Sequence, residues 1–450
     1  MNRRTLIGLI LGGVCAVAGV GGIIGILESG AADVFLEATR PDFQKIPLGV
    51  LSIENNGGPD WLGGRLEEVL KKDVKRSLVF ELMDLPSLGI KVRDVGNGLG
   101  NGSKAVFKQA AENGVSVLVW GKAGLKKGEK EDDVNMEGFV YDSGSDEVVG
   151  GKRYAGSPSV IRLMAHRFAD ELVFRYTGEP GIARTKIAYV SAQGAARELF
   201  VMDYDGYDAR QLTADGFLNL MPRWSPDRRF LVFTAYRDRN TQDIDMIELA
   251  TGKRFTVVSY GGLNITPALS PDGIFLAFAS SYEGNSEIYR LDTRTKAVQR
   301  LTTNPAGELS PSWSPTGREL AFVSDRGGGP QVFLMSSDGS NVRRLTFDGD
   351  YNAAPAWSPR GNWIAYVCRT PRKEYKLCVI SPDGQKRMQL TTGGGVDDSP
   401  SWSPDGRHLV FSSTADGKSH IYMIDADGKD LERLTFEGAH NSAPNWSPAS

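Results

Sequence analysis

The sequence predicts an α/β N-terminal domain followed by an all-β six-bladed propeller, and three observations predict it. A segment of the form Pro-x-Trp-Ser-Pro recurs about every forty-four residues from position 222 onward. Each complete copy is followed by short apolar strands separated by turn residues. The residues before 179 lack the repeat and mix helical with strand-like patterns, as a compact α/β domain does.

The repeat reads Pro222-Arg-Trp224-Ser-Pro226-Asp, Pro267-Ala-Leu-Ser-Pro271-Asp-Gly273, Pro311-Ser-Trp313-Ser-Pro315-Thr-Gly317, Pro355-Ala-Trp357-Ser-Pro359-Arg-Gly361, Pro400-Ser-Trp402-Ser-Pro404-Asp-Gly406 and Pro444-Asn-Trp446-Ser-Pro448. The leading prolines are spaced 45, 44, 44, 45 and 44 apart. A fixed period of this length marks a propeller or another repeat architecture. Ser-Pro-Asp-Gly is a turn: Pro presets φ, Asp caps the backbone and Gly takes the left-handed corner. Apolar strands follow the turns, as at Leu320-Ala-Phe322 and Leu409-Val-Phe411. A third strand comes next, such as Gln331 to Met335 or His420 to Ile424, and a fourth ends in Arg-Leu-Thr, as at 344–346 and 433–435. Four short strands per repeat make one blade of the WD40-like (PD40) kind, with the tryptophan packing between blades.

The ends of the array predict how it closes. The last Pro-x-Trp-Ser-Pro has no strands after it, and its missing strands stand at Lys186–Val190, Glu198–Met202 and Ala209–Thr213. One blade built from both ends ties the ring shut and removes free sheet edges. The expected organisation is a leader at 1–32, the α/β domain at 33–178, a linker at 179–185 and the propeller at 186–450.

In the α/β domain, Lys45 to Ile53 reads as a buried strand. Asp60 is placed to cap a helix with apolar Leu62, Leu66, Val69, Leu70 and Val74. Further strands are expected over 78–83, 115–120, 134–141 and 148–154, with helices over 104–112 and from Ser157-Pro158 to about Tyr176. The leader has a short basic start, Asn2-Arg3-Arg4, with two arginines, an apolar run from Leu6 to Leu27 and small residues from Ser29 to Ala32. That is the layout of a secretory signal cleaved after Ala31 or Ala32, and the length of the run also fits an uncleaved anchor. Val14 before Cys15 is wrong for a lipid-attachment motif. After cleavage only Cys368 and Cys378 remain, on neighbouring strands of one hairpin. They read as a disulfide or as two packed thiols.

Composition narrows the function classes. A formal net charge of -3 without a basic patch argues against nucleic acid. Lys71, Lys72, Lys75 and Arg76 read as the solvated face of a helix. No nucleophile elbow, His-Glu-x-x-His or P-loop is present. The glycines from Gly96 to Gly102 read as a loop. His166 reads as structural, His408 and His420 belong to strands of one blade, and His440 lies in a loop at the propeller opening. The residues supply no catalytic set, no metal site and no cofactor motif.

Several segments closely resemble the TolB family: Lys186-Ile-Ala-Tyr-Val190, Tyr204-Asp205-Gly206-Tyr207-Asp208, the helix Leu163-Met-Ala-His166-Arg-Phe-Ala-Asp170-Glu171 with Thr177-Gly178 at its end, and the repeats themselves. The likeness covers essentially the whole chain after the leader, in the same domain order. Asp227-Arg228-Arg229 departs from it by replacing Asp-Gly in one turn, and Phe43-Gln-Lys45 before the first strand is a second departure. The resemblance implies a monomeric, non-enzymatic periplasmic adaptor of the Tol–Pal system, supporting outer-membrane integrity and constriction during cell division. It implies binding of the peptidoglycan-associated lipoprotein Pal at the propeller opening and of TolA through an extended N-terminal segment. That segment matches Val34, Phe35, Leu36, Glu37, Ala38 and Thr39, which could add a strand to a partner sheet. The loops before each Pro-x-Trp-Ser form a ring on one face and carry Asn219, Asn264, Glu308, Tyr351, Asn352, Asp397, Asp398, His440 and Asn441. On the resemblance, this ring is where Pal is expected to dock. A propeller peptidase and a ligand-binding periplasmic propeller are the rival readings.

Overall fold

The computed structural model describes residues 44–90, 101–126, 133–237, 241–436 and 440–449. The leader, the segment Val34 to Thr39 and most of the glycine-rich loop lie outside the described residues.

The N-terminal domain is one mixed sheet with helices on both faces. Its elements are β1 (Ile46–Asn55), α1 (Trp61–Arg76), β2 (Phe80–Leu82), α2 (Asn101–Glu112), β3 (Val117–Lys126), β4 (Asp133–Asp142), β5 (Glu147–Gly156) and α3 (Ile161–Thr177). The sheet order is β2-β1-β3-β4-β5, with β1 parallel to both neighbours and the later pairs antiparallel. Side chains alternate across a strand, so Leu48 and Val50 pack under α1 and α3 while Leu118 and Trp120 meet Phe107 of α2. Asp60 does not cap α1: it has helical angles (φ -55°, ψ -29°), and its side chain makes no cap hydrogen bond. A capping side chain needs an extended backbone to reach back to the first turn. Asn55 ties the approach instead, donating to Gly58 O at 2.9 Å and Pro59 O at 2.5 Å. Arg76 also departs from the solvated-face reading, because its guanidinium crosses to Glu432 of the propeller at 2.5 Å.

The propeller follows the repeat. Four separate sheets of four strands span 264–300, 308–344, 352–389 and 397–433. The remaining strands form one eight-stranded sheet in which Asn441–Trp446 pairs with Lys186–Gln193 near the start of the propeller. In that sheet the group at 186–211 meets the group at 218–258 through the single bridge Arg197↔Leu218. The repeat residues have visible work. Indole nitrogens reach across to the neighbouring strand group, Trp313 Nε1 to Ala268 O at 2.9 Å and Trp402 Nε1 to Ala356 O at 2.9 Å. The threonine of Arg-Leu-Thr accepts a backbone N–H of the third strand, as at Ile288 N to Thr302 Oγ1 and Val332 N to Thr346 Oγ1, both 2.9 Å. The residue before each repeat proline is left-handed without being glycine: Met221, Thr266, Ser310, Ala354, Ser399 and Ala443 have φ between 47° and 55°. Each sits in a bulge where the register of the innermost strand shifts.

The two domains share one apolar core. Leu66, Phe168 and Leu172 of the α/β domain belong to the same cluster as Tyr189, Met202, Met423 and Trp446 of the propeller. Gly178 ends α3 at φ 73°, a conformation that favours glycine. The chain then packs down, with Ile182 and Ala183 buried and Asp170 accepting from Ala183 N and Arg184 Nε, both at 2.8 Å. Cys368 and Cys378 are joined in a disulfide with Cα atoms 5.8 Å apart. Among the described residues no helix is long and apolar enough to cross a membrane.

Candidate functional site

The end of the propeller where the innermost strands begin carries the ring of residues expected at its mouth. The structure sorts them into two groups. Asn219, Asn264, Glu308, Asn352, Asp397 and Asn441 are all buried. Each is the first or second residue of its strand, and its side chain is turned away from solvent. Asn264 donates to Gln242 O at 3.1 Å and Tyr260 O at 2.7 Å, and it accepts from Ser280 Oγ at 2.9 Å. Asn352 donates to Gln331 Oε1 at 2.9 Å. Asp397 accepts from the wholly buried Lys376 at 3.3 Å and from Ser413 Oγ at 2.5 Å. Glu308 accepts from Arg326 at 2.8 Å and Ser324 at 3.0 Å. Its burial outweighs these bonds and pushes its carboxyl up to about 6. Asn219, Asn264, Asn352 and Asp397 therefore rivet adjacent strand groups, Glu308 braces its own, and none of the six offers a surface.

Tyr351, Asp398 and His440 remain accessible. Asp398 is exposed, yet the protein packed around it still pushes its carboxyl up, against the bond it accepts from Ser399 N at 2.6 Å. Tyr351 stands edge-on to Tyr375 at 5.0 Å. His440 accepts from Ser419 N at 3.3 Å.

What the sequence reading missed at this end is apolar. Phe347 and Phe436, each following an Arg-Leu-Thr, are both 71% exposed, and Tyr282 is 58% exposed. Phe217, Leu263 and Val396 are exposed in the same set of loops. The guanidiniums of Arg344 and Arg433 lie over the rings of Phe347 and Phe436 at 4.9 and 5.4 Å. The available signal was a repeated Leu-Thr-Phe at 345–347 and 434–436, inside loops that otherwise read as polar. Large apolar side chains held out into solvent around one opening suit a protein interface.

A second cluster lies where the domains meet. His166 Nδ1 contacts Asp73 Oδ2 at 2.7 Å, and Tyr204 donates to the other oxygen of Asp73. Asp205 lies 3.9 Å from His166 Nε2 and is paired with Arg162, while Arg76 lies over the Tyr204 ring at 5.4 Å. Asp73, His166 and Asp205 place ligand atoms within 4.8 Å of one another, but two arginines crowd them. The arrangement suits a hydrogen-bonded clasp between domains better than a cation site. His408 is buried on the propeller strand His408–Ser413, 3.4 Å from Asp425. Burial pulls its imidazole down to about 4. The same burial, with Asp430 and Asp427 nearby, pushes Asp425 up to about 7.

Comparison with known proteins places this geometry. A family model described as the TolB beta propeller domain (PD40) matches residues 173–377 and 370–450. The Tol-Pal system protein TolB of Desulfosudis oleivorans is 37% identical over 169 residues, which is 38% of each chain. That of Geobacter sulfurreducens is 38% identical over 199 residues, which is 44% of each chain. The matched stretches span less than half the length of these curated relatives. The crystal structure of TolB from Acinetobacter baumannii superposes with a TM-score of 0.74 at 25% identity, covering 90% of this chain and 97% of that one.

Proposed function

The chain belongs to the TolB family, and on that premise we propose that it is a non-enzymatic periplasmic adaptor of the Tol–Pal system. Pal docks at the propeller mouth, and TolA takes the N-terminal segment from Val34 to Thr39. In the cell this adaptor supports outer-membrane integrity and constriction at division. The observation that carries the reading is the apolar belt of Phe347, Phe436 and Tyr282 around one opening. The accessible Tyr351, Asp398 and His440 stand among it and supply the polar contacts. Asn219, Asn264, Glu308, Asn352, Asp397 and Asn441 act on docking only through the shape they hold. We read the eight-stranded sheet as two blades joined by one bridge, which makes a six-bladed ring over 186–450.

Calorimetry with the periplasmic domain of Pal tests the mouth. The double variant F347S/F436S and the double variant Y351A/H440A should each weaken binding at least tenfold while leaving the thermal midpoint in place. Unchanged affinity in both would remove the mouth from the reading. Deleting 33–43 should abolish TolA binding and spare Pal binding.

A further inference from the structure

The six repeat segments, five with Trp and one with Leu269 in its place, also meet each other, at the end of the propeller opposite the mouth. They surround a cavity of about 590 Å³ walled by proline rings, indoles and small side chains. One charged residue stands among those that line it, Arg223. It occupies the position between the repeat proline and tryptophan, where the other copies have Ala268, Ser312, Ala356, Ser401 and Asn445. Its guanidinium makes one hydrogen bond, from Nη1 to the carbonyl of Pro222 at 3.0 Å, and no acidic side chain lines the cavity among the described residues.

The polar neighbours are already engaged. Asn445 accepts from Trp224 N at 2.8 Å and donates to Ser401 Oγ at 3.1 Å, and Ser312 Oγ accepts from Trp357 N at 3.0 Å. The repeat architecture is thus satisfied without Arg223, as the five uncharged counterparts also indicate. Arg223 is half-buried, and a partly desolvated guanidinium without a counter-ion is costly to keep. Consistent with that, burial pulls it down to about 10. Its planar fork matches a carboxylate in two parallel bonds, and flat apolar walls suit the uncharged remainder of such a ligand.

We propose that this cavity binds a carboxylate-bearing monoanion through Arg223, with the ligand's apolar body against the proline and tryptophan walls. The carboxylate can come from a separate ligand, such as a peptide terminus, or from the carboxylate of Ser450 in a chain that ends there. The site is separate from the mouth and does not depend on the partner assignment above.

Tryptophan fluorescence and calorimetry with N-acetyl-Gly-Leu, as free acid and as amide, test it. The same titrations are run on the chain ending at Ser450 and on one extended by Gly-Ser-Gly-amide. Saturable binding of the acid and not the amide is expected, reduced roughly tenfold or more in Arg223→Gln and partly retained in Arg223→Lys. A second variant, Ala356→Asp, keeps Arg223 and adds a negative wall, and it should weaken the acid while melting normally. Binding by the amidated extension alone assigns the site to the chain's own carboxylate. Equal affinity of wild type and Arg223→Gln, or no binding by either chain, overturns the proposal.

Discussion

His166 of α3 meets Asp73 of α1 at 2.7 Å, and this pair within the α/β domain is one of the points at which the propeller is fastened to it. Tyr204 donates to the same Asp73 from the propeller, and Asp205 beside it faces the other imidazole nitrogen. Both members of the pair are almost wholly buried. Removing one leaves a charged or polar partner stranded at the joint.

Asp73→Ala should therefore destabilise the protein by about 3–5 kcal/mol, the usual cost of breaking a buried pair. Calorimetry should show the single transition splitting as the domains uncouple. An unaltered single transition would place the coupling elsewhere.

The same pair makes the joint sensitive to pH. Burial pulls His166 down, but the bond to Asp73 and the charges of Asp73 and Asp205 outweigh it and hold the imidazole above its ordinary value. Arg162 opposes them, and Arg76 and Tyr204 complete the charged and titratable surroundings. A group raised on folding contributes stability that is complete below its unfolded pKa, about 6.5, and is lost as pH rises through the folded value. Urea midpoints should fall from pH 6 to pH 8.5, and His166→Gln should flatten that slope.

Asp425 predicts an opposite benefit from neutralisation. Its carboxyl is raised to about 7, so the folded chain holds a proton that the unfolded chain releases near pH 4. Wild-type stability is thereby lost as pH rises through this window. Asp425→Asn should match wild type near pH 4 and exceed it at pH 8, by at most on the order of 4 kcal/mol. Denaturant titrations at the two pH values read the difference. A loss at pH 8 would show that the charged form is stabilised by Lys45 and Lys75 after all.

The disulfide between Cys368 and Cys378 closes a short loop of sequence separation 10. Replacing both cysteines by serine should cost about 2–3 kcal/mol by the chain-entropy argument. A reductant should lower the wild-type midpoint and leave the double variant unmoved.

Ala354 has φ 50°, a left-handed value that costs a side chain roughly 1 kcal/mol. Ala354→Gly should be neutral or raise the thermal midpoint, the relief being offset by unfolded-chain entropy. Ala354→Val should lower it.

Much of this molecule could be read before any coordinates. The proline spacing marked the repeat, because each strand group needs a turn and a large apolar side chain, an indole in all but one copy, in the same place. The ends of the array marked the pairing of Asn441–Trp446 with Lys186–Gln193, because unpaired strands must find partners. Periodicity located α1 and α3. Asp60 misled because a capping residue type is necessary for a cap and not sufficient; the backbone angle decides.

The mouth shows the division most clearly. Its loops could be read from the sequence, since a loop before an innermost strand must lie at that strand's starting end. Which side chains face out of those loops was a tertiary outcome. Asn264 and Asp397 look like surface residues by type, yet hydrogen-bonding partners from neighbouring strands draw them inward. Phe347 and Phe436 look like core by type, yet no strand stands over them. By itself the sequence determined the elements, the repeat and their order, all of which follow from local chemistry repeated at fixed spacing. Only the packed chain decided burial, the clasp of Asp73 with His166 and the isolation of Arg223, because each depends on groups far apart in sequence competing for one place.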